Sequence, residues 1–221
     1  MKKTALISWS TGKDSAWSLY NILNNQDVIV KGLFCTINSE FSRTAMHGVR
    51  VELLKKQAEA VGLPLDIIEV PYPCSNKMYE TIMQDFVNKT QEQKIDCFVF
   101  GDLFLKDIRS YREDNLKQTG IKPIFPLWEI PTDKLAKEMI DSGLKTIITC
   151  IDPKKLSKEF VGRGFDHDFI RDLPDDVDPC GENGEFHSFV YDAPFFQNKI
   201  SIKVGEIVER EGFIYADIFP S

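Results

Sequence analysis

The sequence predicts an α/β fold, a mostly parallel, doubly wound, Rossmann-like sheet with a small α+β C-terminal appendage. Three observations carry this. Short β-rich apolar runs alternate with helical periodicities from residue 4 to residue 151, the pattern of parallel strands joined by crossover helices. The first run, Thr4-Ala5-Leu6-Ile7-Ser8-Trp9, passes through a turn of small residues straight into an amphipathic segment. After Asp152 the alternation stops: Phe165 to His187 holds eight Asp or Glu residues against one arginine, with Pro174 and Pro179 breaking regular structure.

The elements follow in order. After the first strand, Ala16, Leu19, Tyr20 and Leu23 mark a helix, and Val28 to Thr36 a second strand. Thr36 to Ala45 is polar and loop-like. His47 to Val61 reads as a helix ended by Gly62, and Leu65 to Val70 as a third strand. Pro71-Tyr72-Pro73 turns the chain into a helix over Asn76 to Gln91, ahead of a fourth strand at Asp96 to Phe100. A helix to Lys117, a short strand at Ile121 to Phe125, a helix at Thr132 to Ser142 and a β-rich run at Leu144 to Ile151 complete the alternation. Phe186 to Tyr191 and a hairpin around Glu211-Gly212 within Lys199 to Phe219 supply the last strands. A boundary near residue 152 separates a nucleotide-binding part, 1–152, from a substrate-side appendage, 153–221.

Composition narrows the function classes. Hydrophobic content of 43% and charged content of 28% suit a soluble globular protein, and no apolar run is long enough to span a bilayer. Met1-Lys2-Lys3 is basic, but the apolar run behind it is short, which argues against a signal peptide. Five scattered cysteines without a CxxC pair point to a reducing cytoplasm and against a zinc ribbon. A net charge of −7 with no Lys/Arg cluster longer than a pair argues against nucleic acid as a partner.

The chemistry centres on Ser10-Thr11-Gly12-Lys13-Asp14-Ser15. A small-residue turn at a helix N-terminus presents free N–H groups and the positive end of a dipole, which together attract anions. Gly12 permits close backbone approach to a phosphate, Ser10, Thr11 and Ser15 offer hydroxyls, and Lys13 a charge. Asp14 either caps the helix or holds a magnesium ion that bridges to phosphates. The turn is not a Walker A loop: no glycine precedes Gly12, and Asp14 rather than Ser or Thr follows Lys13.

Two further groups stand out. Gly101-Asp102 lies at the carboxyl end of the fourth strand, where open α/β sheets bind ligands. Arg109 and Glu113 beyond it share a helical face, either as a surface ion pair or as an orienting arginine with a proton-accepting glutamate. In Asp178-Pro179-Cys180-Gly181-Glu182-Asn183-Gly184-Glu185-Phe186-His187, two glutamates sit inside a tight turn. Concentrated like charge disfavours the compact form, so such a loop suggests a bound magnesium, ammonium or cationic substrate.

Together, the SGGxDS-like turn (with Thr11 in place of the first glycine), Gly101-Asp102, Arg109 with Glu113, Pro126-Leu127-Trp128 and Gly181-Glu182-Asn183-Gly184-Glu185-Phe186 resemble the diphthine–ammonia ligase family. The resemblance runs from Ala5 to Phe196, and His47-Gly48-Val49-Arg50 is similar to its short, stand-alone branch. Members are PP-loop ATP pyrophosphatases with an adenine nucleotide α-hydrolase-like fold, and the best-known amidate diphthine, a modified histidine. The resemblance implies ATP and Mg2+ as cofactors, and a small-molecule or protein-borne carboxylate plus ammonia as substrates. Ser10 through Ser15, with Lys13 as the charge and Asp14 as the magnesium ligand, would seat ATP. Asp102, Arg109, Glu182 and Glu185 would form the catalytic acceptor side, with Glu113, Asn183 and His187 contacting substrate. The ligase-type members tend to carry a second arginine where this chain has Tyr111, so ATP chemistry carries over better than the acceptor. A tRNA-modifying enzyme with the same loop and a non-catalytic ATP sensor are the alternatives; the oligomeric state is left open.

Overall fold

The computed structural model describes residues 2–41, 43–44 and 48–221. The first sheet contains β1 (Lys3–Ser8), β2 (Val28–Asn38), β3 (Arg43–Thr44), β4 (Leu65–Val70), β5 (Cys97–Val99) and β6 (Lys122–Ile124). Its parallel strands lie in the order β4-β2-β1-β5-β6, and β3 pairs antiparallel with the end of β2 at Ile37 and Asn38. The chain winds outward from β1 to β4, then crosses β1 to begin the other half. The strand order therefore reverses between β1 and β5, the place where a doubly wound sheet opens a crevice.

Side-chain alternation explains how the sheet fills both faces. Ala5, Ile7, Leu33, Cys35, Ile37, Cys97 and Val99 enter one core cluster. Their neighbours Leu6, Phe34, Phe98 and Phe100 enter another on the opposite face. On the first face lie α1 (Lys13–Leu23) and α2 (Val51–Val61), which bury Ala16, Leu19, Ile22, Leu54 and Ala58. On the second lie α3 (Asn76–Glu92) and α4 (Lys106–Leu116), burying Phe86, Val87 and Leu116. Each fully buried side chain such as Leu33 or Leu54 contributes about 1.5–3 kcal/mol. The expected helix from His47 begins at Val51, because Gly48 and Arg50 take non-helical angles; His47 itself lies outside the described residues. Gly62 closes α2 in the left-handed conformation at φ 75°, as its sequence position suggests.

After α5 (Thr132–Asp141) the parallel winding ends. The run at Leu144 to Ile151, read from sequence as part of the parallel alternation, forms β7 (Lys145–Ile151) in a second, antiparallel sheet. That sheet has the order β8-β7-β10-β9, with β8 (Phe186–Asp192), β9 (Ile202–Arg210) and β10 (Phe213–Pro220). A strand buried on both faces has the same composition in either kind of sheet, so its pairing was not readable from the run alone. A short helix, α6 (His167–Asp172), packs Phe169 against Phe160, Phe165 and Phe186 beside this sheet. Asp217 of β10 receives both Arg43 at 3.0 Å and Arg50 at 2.5 Å, joining the two sheets at their margin.

Candidate active site

A cavity of about 820 Å³ opens at the switch point between β1 and β5. Its wall joins the turn after β1 (Ser10, Lys13, Asp14, Ser15), the end of β5 (Gly101, Asp102) and the Gly181–Ser188 stretch of the C-terminal half. Aromatic side chains from the second face, among them Phe34, Tyr79 and Phe100, line the rest. The close approach of β5 to α1 depends on Gly101: a Cβ there would stand 2.9–3.0 Å from backbone atoms of Asp14 and Ser15.

The turn is held by its own small residues. Ser15 Oγ donates to the Gly12 carbonyl at 2.9 Å and accepts from the Ser10 N–H at 3.3 Å; the Ser10 and Ser15 hydroxyls lie 3.2 Å apart. Gly12 is the N-cap of α1 without a side-chain cap, so Asp14 does not cap the helix but sits as the acid of its first turn. Thr11 adopts φ 74°, the left-handed region that the glycine of an SGGxDS turn occupies freely.

Lys13 is only 2% exposed. Its Nζ donates to both carboxylate oxygens of Asp14, at 2.9 and 2.8 Å, and to the Cys180 carbonyl. The rings of Phe165 and Phe186 flank it at 5.6 and 5.4 Å from their centroids. Burial works against the ammonium charge, but Asp14 beside it and Glu182 beyond hold its pKa above the usual lysine value. All three Nζ donors are engaged in this way, so Lys13, expected from the sequence to meet phosphate, also ties the turn to the C-terminal half.

Glu182 stands on the cavity wall, its Oε1 accepting the Leu103 N–H at 2.8 Å. Burial pushes its carboxyl up to about 7, helped by the charges of Asp14 and Asp102 and opposed by the Leu103 N–H and Lys13. Asp102 is also on the wall, where Arg112 grips it through two bonds of 2.6 and 3.1 Å while lying over the Phe100 ring. Asn183 and His187 line the cavity as well. Glu185 does not. It is 1% exposed, and its Oε1 braces the turn by accepting from the Asp178 N–H and the Asn183 amide.

Arg109 and Glu113 form the ion pair that their spacing indicates, at 2.7 Å, but away from the cavity wall. The Arg109 guanidinium instead packs over Phe125 and Trp128, at 4.8 and 4.6 Å. The arginine that reaches the cavity is Arg112, ten residues from its partner Asp102, a pairing that no helical-spacing rule reveals. Tyr111, which stands where ligase-type members tend to carry a second arginine, is also on the wall, as is Tyr79, which no sequence pattern singled out. Among the cysteines, Cys180 points its thiol at the Thr132 carbonyl, Cys35 lines the cavity, and burial pushes Cys35 and Cys150 up to about 12.

Among the described residues no three His, Cys, Asp or Glu side chains gather to hold a metal. Magnesium takes one or two carboxylates and completes its shell with phosphates and water. The single carboxylate of Asp14, 28% exposed at the cavity, fits an ion that arrives with a nucleotide but not a resident metal. Among the described residues no helix is long and apolar enough to cross a membrane.

Fold and site define a class: a Rossmann-like α/β protein with a phosphate-type turn at its switch point and an antiparallel second sheet closing the cavity. Within that class, the chain belongs to the diphthamide synthase family, whose N-terminal domain matches residues 1–123 and whose C-terminal domain matches residues 131–218. It is 25% identical to the diphthine–ammonia ligases of Homo sapiens and Bos taurus over 244 aligned residues, covering 99% of this chain and 89% of each relative. The diphthine–ammonia ligase of Schizosaccharomyces pombe is 30% identical over 125 residues, 55% of this chain and 21% of that protein.

Proposed function

We propose that this protein is an ATP-dependent amide-forming ligase. It adenylates a carboxylate with release of pyrophosphate, then passes the acyl group to ammonia with release of AMP. The observation that carries this reading is the placement of Glu182, a carboxyl with a pKa of about 7, in the same cavity as the phosphate-type turn.

A carboxylate and ammonia do not condense unaided near neutral pH. Attack of a carboxylate oxygen on the α-phosphorus breaks the bond to the bridging oxygen and expels pyrophosphate. The turn's part is to hold the nucleotide in line and meet charge growing on the leaving group. Apart from the Lys13 N–H, which Ser188 Oγ accepts, the first-turn N–H groups of α1 lack intrahelical acceptors, and with Ser10 and Ser15 they take that task. Asp14 would hold a magnesium ion carried by the nucleotide, and such an ion, when bound, would neutralise phosphate charge. Lys13 holds Asp14 in place for this. Glu182 accepts a proton from ammonium, leaving ammonia free to attack the acyl carbon as the bond to AMP breaks. Asp102, fixed by Arg112, and the adjoining aromatic wall face the acceptor, a small or protein-borne carboxylate of which diphthine is the relatives' example. Five free cysteines support a reducing cytosol as the place of the reaction.

The test is incubation with ATP, Mg2+, ammonium and a panel of carboxylic acids, including a diphthine peptide, followed by assay of AMP and pyrophosphate. AMP formation that requires both an acid and ammonium is expected. ATP left intact under every condition, despite measurable ATP binding, would favour a sensing role instead.

A further inference from the structure

Behind the turn, Gln57 of α2 is completely buried. Its Nε2 donates to two backbone carbonyls, Thr11 at 3.0 Å and Val190 at 2.6 Å, and its Oε1 accepts the Trp9 indole N–H at 2.8 Å. An indole N–H can only donate, so it fixes which way the amide faces and leaves Nε2 for the two carbonyls. The Thr11 carbonyl also accepts the Val190 N–H at 3.0 Å, while the Thr11 hydroxyl is buried with no hydrogen-bond partner among the described residues. This is a β-branched residue held at φ 74°, and what holds it is bonding to its carbonyl rather than to its side chain.

The peptide between Thr11 and Gly12 connects this bonding to ligand. In a trans peptide the N–H points opposite to the preceding carbonyl. With the Thr11 carbonyl drawn toward α2 and β8, the Gly12 N–H turns the other way, toward Ser10 Oγ on the cavity wall at 3.4 Å. We infer that Gln57 is a positioning residue for nucleotide binding: by holding the Thr11 carbonyl inward, it aims the Gly12 N–H and the start of α1 at the phosphates. The inference rests on the reading of this turn as a nucleotide seat.

Calorimetric titration with ATP and Mg2+ tests it on three proteins: wild type, Gln57→Leu, and Gln57→Leu combined with Thr11→Gly. Leucine keeps the approximate volume and removes all three hydrogen bonds. Glycine takes the positive φ without help. Folded Gln57→Leu is expected to bind ATP about 10- to 100-fold more weakly, the loss of one charge-assisted bond to phosphate. Adding Thr11→Gly is expected to recover most of that loss, which a merely structural role for Gln57 would not produce. Wild-type affinity in folded Gln57→Leu would overturn the inference alone, as would a double variant just as weak as the single one. Should Gln57→Leu not fold, Gln57→Glu, which keeps the shape and the Trp9 bond but loses both Nε2 donors, is judged by the same criteria. A wild type that binds no ATP would overturn the reading of the turn and this inference with it.

Discussion

Glu182 accepts the Leu103 backbone N–H at 2.8 Å, so a carboxylate from the C-terminal half is fastened to the loop that leaves β5. The bond sets the carboxyl at the cavity wall, and burial there raises its pKa from 4.5 to about 7. Between these two values the native protein keeps a proton that the unfolded chain has released, so stability falls as pH rises through the interval. The thermal midpoint is expected to be higher near pH 5 than near pH 8, and Glu182→Gln to flatten that part of the profile. Amide formation should run the opposite way, rising through about pH 7 as the proton acceptor ionises. A Glu182→Gln profile identical to that of the wild type in both measurements would exclude this role.

Lys13→Met leaves the Asp14 carboxylate and the Cys180 carbonyl without their shared donor. Breaking a buried pair from one side typically costs 3–5 kcal/mol, and because Asp14 retains some access to the cavity the expected loss is about 3 kcal/mol. Lys13→Met combined with Asp14→Asn should be more stable than Lys13→Met alone, since no charge is then stranded. Urea denaturation of the two variants reads this directly.

Gly101→Ala places a methyl group against the backbone of Asp14 and Ser15, which cannot swing aside as a side chain would. Overpacking at such a site costs about 1–3 kcal/mol, and the displaced start of α1 is expected to weaken ATP binding as well. Denaturation and calorimetry on this single variant check both. Unchanged ATP affinity would mean that the turn is less tightly specified by β5 than the packing indicates.

Thr11→Gly removes a strained left-handed threonine and a buried hydroxyl that has no partner among the described residues. Against this stand the greater chain entropy of glycine and the lost methyl packing. Strain and desolvation outweigh them by about 1 kcal/mol, so the variant is expected to be more stable in chemical denaturation. A clear loss of stability would show that the methyl group matters more than the backbone angle.

The parallel sheet was legible because its strands alternate side chains between two faces and its helices carry periodic apolar stripes; Leu6 against Ala5 and Ile7 is enough to show the split. The turn after β1 stood out in the sequence because its six small or charged residues are adjacent. The strand at β7 was legible too, but not the sheet it joins, since burial on both faces erases the alternation that would distinguish it. Nor was the approach of Arg112 to Asp102, which depends on how α4 leaves the loop behind β5. Arg109 illustrates the converse: the spacing correctly gives its partner Glu113, but spacing does not say which face of the helix the cavity meets. Gln57 was invisible in the sequence because a lone glutamine on an apolar helix face carries no pattern.

The Lys13 N–H donates to Ser188 Oγ at 3.2 Å across a separation of 175 residues, and the Thr11 carbonyl waits for the N–H of Val190. During synthesis the turn after β1 leaves the ribosome before β8, the strand that supplies these anchors. A nascent chain stalled before β8 is therefore expected to carry the motif without retaining ATP, and competence to arrive only once that strand has docked.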